Sequence, residues 1–257
     1  MIKSFFVRLG LIVTFISVAL TLAFSFNFSA VAYPVVINEK PAGYTILLVP
    51  LDSRPPCTDY VRDLASMAGI RVLIPPPEIL DNYRLPGNTQ AIRDWARQNI
   101  NRADAAILSV DMLIHGSLLA SREVVGSDAG AEAAFELLKQ LHDLKPSARL
   151  YAFHIIPRLF IADNPATEKY KQPMAEWSAL QDTVSLFENP VDIDKLNKLE
   201  KQIPAAIRQH HRNLYAQNSR LNQQLVNLTQ SGILSGLVIG QDDSAPFGLG
   251  NLERRRI

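Results

Sequence analysis

The sequence predicts an α/β domain with a mainly parallel sheet built from βα units and preceded by a signal peptide. Three observations lead there. Five short apolar runs, at 45–51, 71–74, 105–110, 149–156 and 236–240, lack the in–out alternation of a half-exposed strand. Segments with helical spacing separate them. Proline and glycine sit at the joints. Continuous apolar runs suit strands buried on both faces of a parallel sheet. Strand–helix alternation calls for right-handed crossovers. Two architectures fit, an open doubly wound sheet or part of a closed eight-stranded barrel, and five strands are too few to close the barrel.

The first element is an address. Lys3 and Arg8 give a positive start, residues 9–28 carry no charge, and Ala30-Val31-Ala32 supplies the small-x-small pattern of signal peptidase, placing cleavage before Tyr33. The competing reading is an uncleaved membrane anchor, since the run approaches the length that spans a bilayer. No cysteine directly follows the run, so a lipid anchor is not expected. Residues 1–32 are thus read as signal peptide and 33–257 as one exported domain, periplasmic or extracellular.

Residues 33–42 read as a short extended lead-in to strand one. Pro55-Pro56 break the chain, and Tyr60, Val61, Leu64, Met67 and Ala68 then recur at helical spacing up to a stop at Gly69. Strand two closes on Pro75-Pro76-Pro77. Asn88 or Thr89 caps a helix that places Ile92, Trp95, Ala96 and Ile100 on one face. After strand three, residues 130–144 form a helix with Phe135, Leu138, Leu141 and Leu144 inward. After strand four, 167–187 is helical, and Asp192 and Asp194 open a longer helical region that Pro204 kinks or divides. In it Ile207, Leu214, Leu221 and Leu228 recur every seven residues, while His211, Gln217, Asn218 and Gln224 interrupt a full heptad. That pattern fits an outer helix with a narrow buried stripe. Gly232 ends it. Strand five leads into a polar, glycine-rich loop, and the chain stops at Arg254-Arg255-Arg256-Ile257 before a covering helix is expected; this points to the amino-terminal part of a longer domain. The arginine run reads as a solvated tail.

Composition narrows the function. A net charge of +1 from 26 Lys+Arg and 25 Asp+Glu argues against a nucleic-acid partner, which needs a basic surface. One cysteine, Cys57, forms no internal disulfide, and no Cys/His spacing suits structural zinc. At the start of a helix Cys57 would favour a thiolate, against the plainer reading of a small packing residue. There is no P-loop, no Gly-x-Gly-x-x-Gly and no Gly-x-Ser-x-Gly elbow, so no nucleotide or other cofactor is expected.

In parallel α/β folds ligands bind beyond the carboxyl ends of the strands. Strand one delivers Asp52, Ser53 and Arg54 there. Strand three delivers Asp111, His115, Ser117, Ser121 and Arg122; strand four His154 and Arg158; strand five Gln241, Asp242, Asp243 and Ser244. Strand two delivers mostly prolines. His210 and His211 are helix neighbours pointing apart, which disfavours a shared metal. Arginines suit carboxylate, phosphate or sulfate oxygens. Separated carboxylates suit acid/base chemistry such as glycoside hydrolysis. Clustered ones suit Mg²⁺ or Ca²⁺.

Three stretches, Val49-Pro50-Leu51-Asp52-Ser53-Arg54-Pro55-Pro56, the block from Ser109-Val110-Asp111 through His115-Gly116-Ser117 to Ala120-Ser121-Arg122, and Gly240-Gln241-Asp242-Asp243-Ser244, resemble the bacterial family of unknown function DUF4127, in order from about Ile46 to Gly250. The resemblance implies members about twice this length and supplies no reaction. It marks Asp52, Arg54, Asp111, Ser121, Arg122, Asp242 and Asp243. His115 and Ser117 stand where the family pattern has Tyr and Gly, which removes His115 from the favoured set. The leading expectation is an exported hydrolase acting on a small polar, carbohydrate-like substrate, with Asp52, Asp111, Asp242 and Asp243 catalytic and Arg54, Ser121, Arg122 and Arg158 binding substrate oxygens. The alternatives are a non-catalytic envelope or solute-binding protein for an anionic ligand, and a carboxylate metal site. A membrane enters only through an uncleaved leader.

Overall fold

The computed structural model describes residues 43–243 and 245–256; residues 1–32, read above as a signal peptide, residues 33–42, read as an extended lead-in, Ser244 and Ile257 lie outside the described residues. Five parallel strands, β1 (Thr45–Val49), β2 (Arg71–Leu73), β3 (Ala105–Ser109), β4 (Arg149–Ile156) and β5 (Gly236–Gln241), form one sheet in the order β2-β1-β3-β4-β5. The sheet is open and is not an arc of a barrel. The chain steps outward from β1 to β2, then returns past β1 to β3, so the strand order reverses between β1 and β3. Such a reversal leaves a crevice at the carboxyl ends of those two strands.

Nine α-helices are described: α1 (Asp59–Met67), α2 (Thr89–Asn99), α3 (Val110–His115), α4 (Leu118–Glu123), α5 (Asp128–Leu144), α6 (Lys171–Phe187), α7 (Pro190–Gln202), α8 (Ala205–Gln230) and α9 (Leu249–Arg254). The main core lies on one face of the sheet. Leu47, Val49, Ala106, Leu108, Leu150 and Ala152 point into it, against Ile92 and Ala96 of α2, Leu137, Leu138 and Leu141 of α5, and Leu221 and Leu225 of α8. Each of the buried leucine, isoleucine and valine side chains contributes about 1.5–3 kcal/mol, and the alanines less. A satellite core joins Met174, Trp177 and Leu180 of α6 to Leu199 and Ile203.

The right-handed crossover rule places α1 on the opposite face. Its apolar stripe, Tyr60, Leu64 and Met67, stays exposed, because the helix rests against a three-residue edge strand that offers little to cover it. On that face Tyr151 and Val238 are exposed too, Val238 at 66%.

Several expected boundaries shift for local reasons. Strand three stops at Ser109, whose side chain caps Met112 N–H and starts α3; Ser117 likewise caps Ala120 N–H and starts α4. Leu144, expected inward, is exposed at the last residue of α5. Pro204 divides the long helical region into α7 and α8. In α8 the polar residues His211, Gln217, Asn218 and Asn222 are buried with the leucines, so its inner face is wider than the expected stripe. A short helix, α9, does follow β5, and Arg255 just beyond it pairs with buried Asp182 instead of trailing in solvent. Among the described residues no helix is long and apolar enough to cross a membrane.

Candidate functional site

At the carboxyl edge beside the β1/β3 reversal lies a cleft of about 290 Å³. Four segments wall it: Asp52-Ser53-Arg54 after β1, residues 81–84 after β2, Ser117 to Glu123 around α4, and Arg158 with Asp163 after β4. A wider hollow of about 600 Å³ follows the outer groove between α5 and α8; its charged lining, including Glu132, Glu136 and Lys139, belongs to helix surfaces away from the strand ends.

Two glycines set the spacing of one wall. Gly116 ends α3 at φ +86°, a left-handed conformation that disfavours other residues, and a Cβ there would come within 2.6 Å of the Gly87 carbonyl oxygen. Gly87 N–H donates to Gly116 O at 3.0 Å. This crossing ties the loop carrying Asp81 to the turn carrying Ser117.

Two buried carboxyls line the cleft. Asp52 is 4% exposed and Asp81 7%. Asp52 accepts from Arg54 N at 3.1 Å and Nε at 3.0 Å on one oxygen, and from Nη2 at 2.6 Å on the other. Burial raises its pKa, but the hydrogen bonds of Arg54 and the Cys57 thiol outweigh that and hold it below the usual carboxylate range. Asp81 Oδ1 accepts Ser53 N–H at 2.7 Å. Burial pushes its pKa up, the Ser53 bond opposes this, and the neighbouring Asp52 charge adds to the rise; the net shift is upward. Burial and Asp52 also push the Cys57 thiol up to about 11, which favours the plainer packing reading over a thiolate.

Arginines surround this pair. Arg84 lies 3.8 Å from Glu123 and donates to the Asp163 carbonyl at 3.4 Å. Arg122 pairs with Asp242 behind it. Arg158 makes no ion pair with a carboxylate among the described residues, and its Nε has no hydrogen-bond partner there. Arg54 is two-thirds exposed at the mouth. Asp243 accepts from Leu159 N–H and from Ala245 N–H at 3.2 Å, fixing the turn that carries Arg158. Asp242 and Asp243 therefore stand behind the cleft and do not line it.

Asp111 and Ser121 lie elsewhere again. Because α3 begins at Val110, Asp111 turns under the cleft and is 1% exposed. Its Oδ2 accepts Ile155 N–H at 3.1 Å; its Oδ1 lies 3.7 Å from His154 Nε2 and has no hydrogen bond. His154 Nδ1 meets Asn222 Oδ1 at 2.7 Å, Asn222 donates to Asn218 at 2.9 Å, and Asn218 donates to Ile155 O at 2.8 Å. A void of about 10 Å³ among Asp111, His115, Ser121, His154 and Gln217 is large enough for one water. Burial drives the Asp111 pKa up, and the charge of His154 only partly opposes it.

The sign of that shift gives a test. A carboxyl with a raised folded pKa contributes stability that is present at low pH and lost as pH rises from the ordinary carboxylate value through the folded one. Asp111→Asn keeps an acceptor for Ile155 N–H and supplies a donor toward His154. It is expected to gain stability relative to the native chain at pH 8 and not at pH 4, in urea melts. An equal loss at both pH values would show that the charge state of Asp111 is irrelevant to the fold.

Of the predicted site residues, the fold brings Asp52, Arg54, Arg122 and Arg158 to one cleft. Asp111, Ser121, Asp242 and Asp243 support it from behind or beneath. Asp81, Arg84 and Glu123 were missed. Among the described residues no three His, Cys, Asp or Glu side chains come close enough to hold a metal ion. The family model described as a protein of unknown function, DUF4127, matches residues 46–257. No curated protein and no solved structure matches the chain.

Proposed function

The chain belongs to the DUF4127 family, and since that family carries no assigned activity we propose, from the cleft itself, that it is a hydrolase acting on a small polar, sugar-like substrate bearing negatively charged oxygens. The observation that carries this reading is the pair of buried carboxyls in one cleft whose pKa values move in opposite directions. Pairs separated in this way divide into an acid and a base. Asp81 holds its proton at higher pH than an ordinary carboxyl and is the general acid toward the leaving oxygen. Asp52 stays ionised and serves as base or nucleophile. Arg54 occupies both Asp52 oxygens, but it is the exposed partner. An anionic substrate competes for its guanidinium and frees the carboxylate. Arg158 is the cleft's open donor, and Arg84 and Arg122 complete the ring.

Turnover is tested on a panel of chromogenic glycosides, anionic sugars included. Asp81→Asn and Asp52→Asn are each expected to lower kcat by about 10²–10⁴. In the first of these the new amide oxygen still accepts the Ser53 N–H, so the wall of the cleft stays in place. Arg158→Ala is expected to raise KM more than it lowers kcat. Full turnover in both carboxyl variants would dismiss the hydrolase.

A second reading, a non-catalytic binder of an anionic ligand, is favoured by the engagement of Asp52, Asp242 and Asp243 with arginine or backbone donors. It is distinguished by ligand binding in calorimetry that Arg158→Ala abolishes, without any product. Export is proposed on the leader at 1–32; amino-terminal sequencing of the secreted protein is expected to begin at Tyr33.

A further inference from the structure

Beside the cleft opens a second cavity of about 470 Å³, and Arg122 and Glu123 wall both. Its character is different. Val124, Ile161, Ala162, Ile207 and Leu214 give it an aliphatic lining, with no Phe, Tyr or Trp ring in its wall. Val124 is 58% exposed with this hollow at its side. Two imidazoles, His210 and His211, stand at its helical wall. His210 Nε2 donates to the Glu123 carbonyl at 2.9 Å, which holds the start of α8 against the end of α4. His211 is nine-tenths buried and its Nε2 has no partner among the described residues. Burial keeps this imidazole neutral. Aliphatic walls with a few polar groups, in a volume of this size, are what small-molecule sites consist of. A cavity of that kind beside an arginine-lined cleft, with Arg122 and Glu123 in both walls, fits a ligand with two unlike ends.

We infer that the substrate is a soluble amphiphile, its anionic oxygens held by the arginines of the cleft and an aliphatic group lying in the adjoining cavity between α4, the 161–167 loop and the start of α8. This rests on the reading of the cleft as an oxyanion site under Proposed function. Arg122, fixed by Asp242, is the boundary between the two halves. Chain length then sets affinity, because each buried methylene tightens binding about fourfold.

The test uses methyl, butyl and hexyl phosphate, each below its aggregation threshold, in titration calorimetry with the whole chain. Hexyl phosphate is expected to bind at least ~100-fold tighter than methyl phosphate. Ala206, exposed on the cavity rim, offers a substitution site outside both hydrophobic cores. Ala206→Phe fills the hollow and is expected to bring hexyl phosphate close to methyl phosphate, with methyl phosphate unchanged. Ile207→Glu does the same by placing a charge in the aliphatic wall. Arg158→Ala is expected to weaken all three alike. Methyl phosphate binding with no gain along the series would overturn the cavity inference and leave the cleft reading standing. If no phosphate binds, the cleft reading fails, and hexanol shifting the Ile161 and Ile207 methyl resonances then upholds the aliphatic site alone. Hexanol leaving those methyls unmoved overturns the site as well.

Discussion

Trp177→Ala is expected to destabilise the fold by about 3–5 kcal/mol. Trp177 is fully buried at the centre of the satellite core, against Met174, Leu180, Leu199 and Ile203. Its indole N–H donates to Glu200 at 3.2 Å, and the Arg212 guanidinium lies over its ring at 4.9 Å. Arg212 and Arg208 reach the same Glu200 oxygen, at 3.2 and 3.4 Å. Truncation leaves a large cavity, removes a donor from Glu200 and strips the surface on which Arg212 stacks. Since whole domains are stable by only about 5–15 kcal/mol, the loss is a large share of the total. Urea melts followed by circular dichroism measure it. Trp177→Phe refills most of the volume and is expected to recover about half. A cost under about 1 kcal/mol for the alanine variant would show that α6, α7 and α8 are held together by something other than this core.

Acid is expected to weaken the protein through His211. Burial, with the neighbouring His210 charge in second place, lowers its pKa to about 4. The ring packs edge-on to Tyr215 at 5.1 Å and near Trp177 at 6.4 Å, with no carboxylate against it among the described residues. The unfolded chain therefore binds a proton near pH 6.5 that the folded chain refuses until about pH 4. Stability present above the unfolded value is lost as pH falls through that window, about 2 kcal/mol between pH 7 and pH 5 and about 3 by pH 4. His115, also lowered to about 4 by burial, adds in the same direction. Asp81 and Asp111, with raised values, act oppositely. The native chain and His211→Phe are therefore compared at each pH, and the variant is expected to lack this share of the acid slope. Parallel slopes in the two proteins would mean that His211 is protonated as readily folded as unfolded.

The strands were readable because each is a short continuous apolar run ending in proline, glycine or a polar turn. Asp52, Arg54 and Arg158 were readable as site residues because they follow β1 and β4 directly, where the carboxyl-end rule applies. Asp81 was not. It lies eight residues beyond β2, past three prolines, and is held at the cleft by Ser53 N–H and by the meeting of Gly87 with Gly116, contacts between distant segments that no local pattern reports. Asp111 was found but not its direction, since that depends on Ser109 ending the strand and capping the short helix α3, which the sequence pattern did not indicate. Likewise Arg122, which pairs with Asp242, and Leu159, which donates to Asp243, lie more than eighty residues away, and the supporting role of the two carboxylates follows from tertiary packing. In α8 the buried His211, Gln217, Asn218 and Asn222 resemble a solvent face in one dimension. Gln217, Asn218 and Asn222 are satisfied by Gly126, Ile155 and His154, which the sequence places far off.

The glycine crossing has a mechanical consequence. With Gly87 and Gly116 in backbone contact, the Asp81 side and the Ser117 side of the mouth form a single stiff jaw, and neither yields without the other. Accommodation of an incoming molecule then falls to side chains on the opposite lip, above all the two-thirds exposed Arg54, whose guanidinium can leave Asp52 without any shift of the backbone.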